Sequence, residues 1–361
     1  MKQKIGILID YDFTNKHVPP YPHPVFFSYE NPKRMQTIIQ YLEGMKLFEN
    51  EKIHKLIPRV VTKSILQLAH SQYYIEAVER LSKFGSGMLS EETYITHDTF
   101  LLAKKAVGGV IACLESVINH KSNQAFALVR PPGHHALREQ SSGLCIFNNI
   151  ANAIHYLRKR KNYNKKIVII DIDDHYGDGI ARFFYEDPNV LYFSVHEFDF
   201  VEGDMGFITE LGAKKGKGTN INFPIPMNTT DAHFMEFTEI LTPILAQFHP
   251  DLIIVAAGFD MYFADPIGNC LLTSKSYYEF AKYILARARQ VCDGKVAFVL
   301  EGGYSLIGLP ICVSAIIRAL LGEPFIPQPF EQVEFSAPLE KTDFLTIKDS
   351  LKELLQSFWN I

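Results

Sequence analysis

Short, continuous runs of Val, Ile, Leu and Phe recur along this 361-residue chain and are separated by amphipathic segments. The apolar runs show no clean alternation of apolar and polar residues, which is typical of parallel strands buried on both faces. The predicted strands are Ile5–Ile9, Phe126–Val129, Ile167–Asp171, Val190–Val195, Leu252–Ala256 and Val296–Leu300. Alternation of strands and helices predicts an α/β fold, with three α/β/α layers around a central, mostly parallel sheet.

Helical periodicity fills the gaps between these strands. The predicted helices are Pro32–Phe48, Val61–Leu81, His97–His120, Asn148–Arg160, Asp231–Phe248, Ser274–Val291 and Leu309–Leu320. A tail, residues 322–361, begins with proline-rich sequence and ends in an amphipathic helix from about Thr342 to Trp359, which we expect to pack on the body or on another subunit. No repeat or linker divides the chain, so we expect a single domain over residues 1–361 with its core at about 5–320.

Composition excludes several classes of protein. Thirty-six Lys and Arg residues against 40 Asp and Glu give a net charge of -4, which disfavours a general nucleic-acid-binding surface. No apolar run approaches the ~18 residues of a membrane helix, and the apolar run near the N-terminus is too short for a signal peptide. The five cysteines are widely spaced without a C-x-x-C pair, which predicts a reducing, cytoplasmic location.

Polar residues directly after two predicted strands have the chemistry of metal ligands. Asp173 and His175 follow strand Ile167–Asp171 in a D-x-H pattern, and Asp260 follows strand Leu252–Ala256. Parallel strands end at one edge of a sheet, so three protein ligands with an open position for water are expected there. Oxygen and imidazole donors suit Zn²⁺, Fe²⁺ or Mn²⁺. Acidic residues after strands also cap helices, which is the simpler alternative.

Two further strand ends carry groups suited to proton transfer. His134 and His135 lie in the Arg130–Ala136 turn after strand Phe126–Val129, and two buried imidazoles need partners. Asp171 and Asp178 are carboxylates available to orient them as general bases. Tyr304 follows two glycines after the strand Val296–Leu300, where its hydroxyl could stabilise an oxyanion or its ring could simply pack.

Taken together, these motifs resemble the zinc-dependent histone deacetylase and acetylpolyamine amidohydrolase family, which has the arginase–deacetylase fold. RPPGHHA, D-x-D-x-H-x-G-D-G, G-F-D-x-x-x-x-D-P and L-E-G-G-Y occur in the order of that family, and matches extend over roughly residues 5–320. The resemblance implies a hydrolase that removes acetyl groups from an amine. The expected substrate is N-ε-acetyl-lysine of proteins, with acetylpolyamines or another small acylated amine as the alternative.

The resemblance also implies a role for each motif residue. It implies zinc, with Fe²⁺ as a substitute, on Asp173, His175 and Asp260. It implies that His135 with Asp178 is the general base, that His134 with Asp171 assists the leaving amine, and that Tyr304 polarises the acetyl carbonyl. Gly143 resembles the backbone acceptor for the substrate amide, and Arg34 an arginine near an internal acetate channel. Relatives also bind K⁺ through main-chain oxygens around Asp171, Asp173, His175, Ser194 and Val195.

The expected substrate tunnel departs from the family pattern. Leu144 and Val201 stand near positions where relatives have aromatic tunnel walls, so the aromatic clamp on the substrate is either weakened or supplied by Phe198 or Phe200. Ile267 occupies the slot of a glutamate found in polyamine-selective relatives, which disfavours polyamine specificity. The acidic loop 196–204 would attract a cationic substrate, although a solvated loop explains it equally well.

Three other functions are compatible with parts of this pattern. An arginase-like manganese enzyme needs a second metal, but Met261 and Tyr262 follow Asp260 where a further carboxylate would be required. A catalytically inactive relative would have lost a ligand, the histidine pair or the tyrosine, and none is lost here. Hydrolysis of a different acylated metabolite stays open, because the motifs specify the reaction and not the amine. We expect no nucleic-acid or membrane partner, and homo-oligomerisation is left open.

Overall fold

The computed structural model describes residues 4–20, 26–333, 335 and 341–361. The strands are β1 (Ile5–Leu8), β2 (Ile53–Leu56), β3 (Gly87–Met88), β4 (Tyr94–Ile95), β5 (Gln124–Ala127), β6 (Ile167–Asp171), β7 (Val190–Glu197), β8 (Asn220–Ile225), β9 (Leu252–Ala257) and β10 (Val296–Leu300). The helices are α1 (Lys33–Gly44), α2 (Lys63–Leu66), α3 (Gln72–Phe84), α4 (Thr99–Ile118), α5 (Asn149–Lys161), α6 (Asp178–Phe184), α7 (Asp231–Phe234), α8 (Thr238–Phe248), α9 (Ser274–Val291), α10 (Gly308–Leu321) and α11 (Lys341–Leu355).

A parallel sheet of eight strands forms the centre of the fold, in the order β2-β1-β5-β10-β9-β6-β7-β8. Strands β3 and β4 form a separate short antiparallel ladder. All six predicted strands occur in the large sheet, within about two residues of the predicted bounds. The mostly parallel sheet predicted from uniformly apolar strands is therefore confirmed.

Two strands of the large sheet were not predicted, and both lie at its edges. β2 has the sequence IHKL with partly exposed side chains, and β8 has the sequence NINFPI with polar residues and a proline. Edge strands bond to a neighbour on one side only, so they tolerate polar residues and proline that a central strand would exclude. A search for uniformly apolar runs therefore misses them.

Helices cover the sheet in two groups, which completes the three-layer α/β/α arrangement. Helices α1, α8, α9 and α10 pack on one another, and α2 to α6 form the second group. The predicted helix Val61–Leu81 is wrong as one element: Ser71 accepts a hydrogen bond from Tyr74 N and begins α3 after a break. The predicted helix Asp231–Phe248 is likewise divided into α7 and α8.

One cluster of buried apolar side chains extends through the chain from Ile5 to Leu355. The tail helix begins and ends close to its predicted bounds, as α11, and packs on the body of the same chain next to β8. Parts of the predicted tail, residues 334 and 336–340, lie outside the described residues. Among the described residues, no helix is long and apolar enough to cross a membrane.

Candidate active site

The candidate site lies where four neighbouring strands end. β5, β10, β9 and β6 are consecutive in the sheet and run parallel. The segments after them carry, in that order, the histidine pair 134–135, Tyr304, Asp260 and the segment Asp173–His175. Since parallel strands all end at the same edge, residues up to about 170 positions apart in sequence meet there.

Asp173, His175 and Asp260 form a set of potential metal ligands. Their ligand atoms all lie within 4.8 Å of one another. His175 Nδ1 is 3.3 Å from Asp173 Oδ1 and 3.4 Å from Asp260 Oδ2. Asp260 Oδ2 is buried and has no hydrogen-bond partner among the described residues. Because a buried charged oxygen needs compensation, a divalent cation fits this position, and two carboxylates with one imidazole suit Zn²⁺ or Fe²⁺.

Backbone groups hold the two carboxylates in place. Gly302 N donates to Asp173 Oδ2 at 2.8 Å, and Asp174 N donates to Asp260 Oδ1 at 3.0 Å. Burial and the nearby charge of Asp173 raise the pKa of Asp260. A Cβ atom at Gly302 would lie 2.3 Å from Asp260 Oδ2 and 2.6 Å from Asp173 Oδ2. Position 302 therefore needs glycine, as the close approach predicted for the Gly-Gly pair requires.

The two histidines each have the carboxylate partner that the sequence suggested. His135 Nδ1 lies 3.0 Å from Asp178 Oδ1, and His134 Nδ1 lies 3.4 Å from Asp171 Oδ2. Asp178 begins α6, a helix that was not predicted. Contact with a carboxylate at Nδ1 favours the proton there and leaves Nε2 of His135 free to accept one.

The two histidines differ in their electrostatic surroundings. Burial lowers the pKa of His135, helped by the neighbouring His134, and outweighs the opposing effect of Asp178. Burial also disfavours the charged form of His134, but the Asp173 and Asp171 carboxylates outweigh it and raise its pKa to about 10. The arrangement therefore places a neutral imidazole and a charged imidazolium side by side, with ring centroids 4.0 Å apart.

Tyr304 lies in the same pocket as the histidine pair. Its backbone N and that of Ser305 donate to Asp265 Oδ2 at 2.6 and 2.9 Å, which fixes the turn. Burial raises the pKa of Tyr304 well above its usual value, so the hydroxyl stays protonated as a hydrogen-bond donor. The Arg34 guanidinium lies 4.7 Å from the centre of its ring.

Comparison with known proteins agrees with this geometry. The family model described as "Histone deacetylase domain" matches residues 28–320, which is most of the chain. The chain belongs to the histone deacetylase family. Its members hydrolyse acetyl groups from amines, and the arginase–deacetylase fold expected from the motifs is the one observed here.

Individual relatives match three quarters or more of this chain. A "Probable deacetylase" of Archaeoglobus fulgidus is 36% identical over 88% of this chain and 86% of its own. "Polyamine deacetylase HDAC10" of Danio rerio is 36% identical over 75% of this chain and 41% of its own. The crystal structure of the HDA15 HD domain superposes with a TM-score of 0.84 at 28% identity, covering 99% of this chain and 95% of that one.

The residues expected to bind substrate divide into two groups. Gly143, Leu144 and Ile267 line the pocket together with the catalytic candidates. Phe198 does not line it, because its ring packs against Phe200 and Phe207 with centroids 5.0 and 5.2 Å away. The expected aromatic replacement at this wall of the pocket is therefore not provided by Phe198.

Arg34 also lies away from the pocket surface of this deacetylase. It is fully buried, and its Nε and Nη2 donate to the carbonyl oxygens of Gly303 and Glu301 at 2.7 and 2.6 Å. Its Nη1 lies 3.4 Å from Glu30 Oε1. Arg34 thus supports the turn that carries Tyr304, and a direct role in binding substrate or acetate stays a prediction.

The structure adds supporting residues that the sequence analysis did not assign. Glu301 Oε2 accepts hydrogen bonds from Gly133 N and His134 N at 2.6 and 3.1 Å. These bonds connect the turn that carries the histidine pair to the segment that carries Tyr304. Tyr192 OH donates to Asp171 Oδ2 at 2.9 Å. Glu301 and Asp265 stand inside the L-E-G-G-Y and G-F-D-x-x-x-x-D-P motifs. For Glu301, a charged residue between an apolar strand and two glycines was the available signal.

Proposed function

We propose that this protein is a zinc-dependent deacetylase that hydrolyses N-ε-acetyl-lysine in proteins. One observation carries the reaction type: a three-residue ligand set, an oriented His–Asp pair and a protonated tyrosine meet at one pocket. A metal ion held by Asp173, His175 and Asp260 would polarise the amide carbonyl and lower the pKa of a bound water. Zn²⁺ is our proposed ion, and Fe²⁺ suits the same donors.

His135 is the proposed general base. Asp178 accepts the hydrogen bond from His135 Nδ1–H, so the lone pair on Nε2 is available to the pocket. His135 Nε2 takes a proton from the water that attacks the carbonyl carbon. Because the pKa of His135 is lowered by burial and by His134, the ring is neutral and able to accept that proton at pH 7.

Tyr304, His134 and Gly143 complete the proposed reaction. The Tyr304 hydroxyl donates a hydrogen bond to the carbonyl oxygen as negative charge develops on it. His134, next to the leaving nitrogen in this proposal, supplies the proton with which the C–N bond breaks to give acetate and a free amine. The Gly143 carbonyl accepts the substrate amide N–H, and Thr93 Oγ1 already donates to the same oxygen at 2.7 Å.

The mouth of the pocket supports a cationic substrate. Glu92, Glu197, Asp199 and Asp204 line it, whereas no Lys or Arg does so among the described residues. Such a field attracts lysine-rich protein tails and also polyamines. Apolar Ile267 at the pocket wall favours the protein substrate, and the 36% identity to a polyamine deacetylase keeps acetylpolyamines as the second candidate.

The remaining expectations form part of the same proposal. K⁺ bound by main-chain oxygens near Asp171, Asp173 and His175 would screen the acidic cluster, and its test is whether activity rises when Na⁺ is replaced by K⁺ at constant ionic strength. A cytoplasmic location and the absence of nucleic-acid binding stay predictions, and the oligomeric state stays open.

The test compares deacetylation of an acetyl-lysine peptide with that of N-acetylated polyamines, using metal-stripped and zinc-loaded protein. We expect zinc-dependent kcat/KM that is higher for the peptide. Asp260→Ala should lose bound zinc and activity together, because two ligands hold a catalytic metal poorly. Higher kcat/KM for polyamines would overturn the substrate assignment, and full activity of the metal-stripped protein would overturn the metal-dependent reaction.

A further inference from the structure

We propose that Asp174, Glu197 and Cys270 bind a second divalent cation with affinity for thiolate, such as Zn²⁺ or Co²⁺, beside the first ligand set. The three residues come from separate places in the chain: the loop after β6, the last residue of β7 and the loop before α9. None of them belongs to the set Asp173, His175 and Asp260. The chemical steps of the proposed reaction do not use them, and only Glu197 also belongs to the acidic mouth of the pocket.

The geometry of the three side chains suits a metal ion. One carboxylate oxygen of Asp174, one of Glu197 and the Cys270 sulfur all lie within 4.8 Å of one another. Ligands at Zn–O and Zn–S distances of about 2.0–2.3 Å stand roughly 3.3–3.8 Å apart in a tetrahedron, so the ligand atoms need to approach one another by about 1.5 Å at most. Two carboxylates and a thiolate favour a borderline-soft ion over Mg²⁺ or Ca²⁺.

A buried carboxyl oxygen of Asp174 without a hydrogen-bond donor favours the binding of a cation. Asp174 is 3% exposed, and its Oδ1 has no hydrogen-bond partner among the described residues. Glu197 and Asp260 add negative charge close by, the neighbouring His175 ring offsets part of it, and no Lys or Arg lines this pocket in the described part of the chain. A buried carboxyl oxygen without a donor is costly, and a bound cation satisfies it directly.

The neighbouring residues give the site access and orientation. Asp174 and Glu197 line the pocket, so an ion can reach them from solvent. Asn269 donates to Glu197 from its side-chain Nδ2 at 3.0 Å and from its backbone N at 3.3 Å, which orients that carboxylate as outer-shell groups orient metal ligands. Asp174 N donates to Asp260 Oδ1, so the two ligand sets are in direct contact.

Cobalt spectroscopy can tell the two sites apart without an activity assay. Only the second set contains a sulfur ligand, so a thiolate-to-Co²⁺ charge-transfer band reports that set alone. Metal-stripped wild-type protein is titrated with Co²⁺ and followed by near-ultraviolet absorption and by metal analysis after desalting. We expect two equivalents of Co²⁺ per chain and a charge-transfer band.

Substitutions of the proposed ligands test which side chains give rise to the charge-transfer band. Cys270→Ser and Asp174→Asn should each lose the band and one equivalent of Co²⁺, with circular dichroism confirming the fold. Cys292→Ser, a buried cysteine whose sulfur contacts Lys295 O, is the matched control and should keep both. A single equivalent without the band in wild-type protein would overturn the proposal. So would a band that survives Cys270→Ser and disappears in Cys145→Ser, because Cys145 lines the main pocket.

This proposal is independent of the deacetylase reaction. Asp260→Ala removes a ligand of the first set but leaves all three residues of the second set in place. That variant should therefore lose deacetylase activity and keep the charge-transfer band. Zinc-loaded wild-type protein that shows the band with Co²⁺ but deacetylates neither the peptide nor the polyamines would contradict the proposed function and leave the second site standing.

Discussion

At the scale of single residues, close contacts in the candidate site leave no space for an additional methyl group at Gly302. Gly302 lies directly against the Asp173 and Asp260 carboxylates. A Cβ atom at this position would lie 2.6 Å or less from Asp173 Oδ2 and Asp260 Oδ2. Real Cβ atoms do not come so close to buried oxygens, so one carboxylate or the turn must move. A single methyl group at this position therefore acts on the metal ligands rather than on the packing of the core.

We predict that Gly302→Ala lowers zinc affinity by about 10–100-fold, the usual effect of disturbing groups that orient metal ligands. Competition with a fluorescent zinc chelator measures that change. Gly44→Ala is the matched control, because nothing lies within 4 Å of the added methyl group at the end of α1. Equal zinc affinity of the two variants would show that the carboxylates tolerate the methyl group.

We predict that Tyr304→Phe keeps its zinc but loses about 10²–10³-fold in kcat, as expected for loss of one oxyanion donor. The phenyl ring can still pack under the Arg34 guanidinium, 4.7 Å from the ring centre, so the fold should be retained. Metal analysis and steady-state kinetics with an acetyl-lysine peptide test both parts. Wild-type kcat in this variant would remove Tyr304 from the reaction.

At the scale of elements, helix α11 covers the edge of the sheet at β8. Phe344 packs edge-on against Phe223 of β8, with ring centroids 5.7 Å apart. Lys348 and Lys352 pair with Glu236 and Glu239 at 2.9 and 3.0 Å. An uncovered edge strand is open to pairing with other chains, so this helix protects the sheet as well as extending the core.

We predict that Leu351→Ala, which removes a fully buried side chain of α11, lowers the free energy of unfolding by about 2–5 kcal/mol. Leu345→Ala on the same helix should change it by no more than about 0.5 kcal/mol, because that side chain is 37% exposed. Urea unfolding followed by circular dichroism measures both. A similar loss in the two variants would mean that α11 does not dock through the Leu351 face.

At the scale of the whole molecule, buried histidines connect stability to pH. Burial lowers the pKa of His17 to about 3, of His70 to about 4 and of His196 to about 3. His70 shows why the neutral form is required: Nδ1 lies 2.8 Å from Leu137 O, and Nε2 accepts from Asn148 N at 2.9 Å. Protonation of the ring would leave the second bond without an acceptor.

We predict that the free energy of unfolding falls as pH drops from 6.5 toward 4. The folded pKa of each histidine lies below the unfolded value of 6.5, so the unfolded chain binds more protons in this range. Each group contributes about 1.4 kcal/mol per pH unit. Urea unfolding at several pH values measures how steeply the free energy of unfolding depends on pH. This dependence should be weaker for His70→Gln, whose side chain keeps one hydrogen-bond donor and one acceptor. An unchanged slope would contradict the neutral state of His70.

Much of the fold and the reacting groups could be predicted because both depend on local pattern. Uniformly apolar runs identify the central strands, and the polar residues that follow them, such as Asp173 and Asp260, must lie at one edge. The edge strand β8 was not predicted because its sequence, NINFPI, is not uniformly apolar. The break before α3 was not predicted because the sequence alone does not distinguish a serine that caps a helix, such as Ser71, from a serine inside one.

The sequence by itself determined which groups meet at the carboxyl end of the sheet, since the direction of parallel strands leaves them no other place. The tertiary structure alone decided which way side chains turn. Packing directs Phe198 toward Phe207, away from the pocket, and buries Arg34 behind Tyr304. It also brings Asp174 within reach of Cys270, almost a hundred residues later, because such contacts depend on how separate loops pack and leave no periodic signal in the chain.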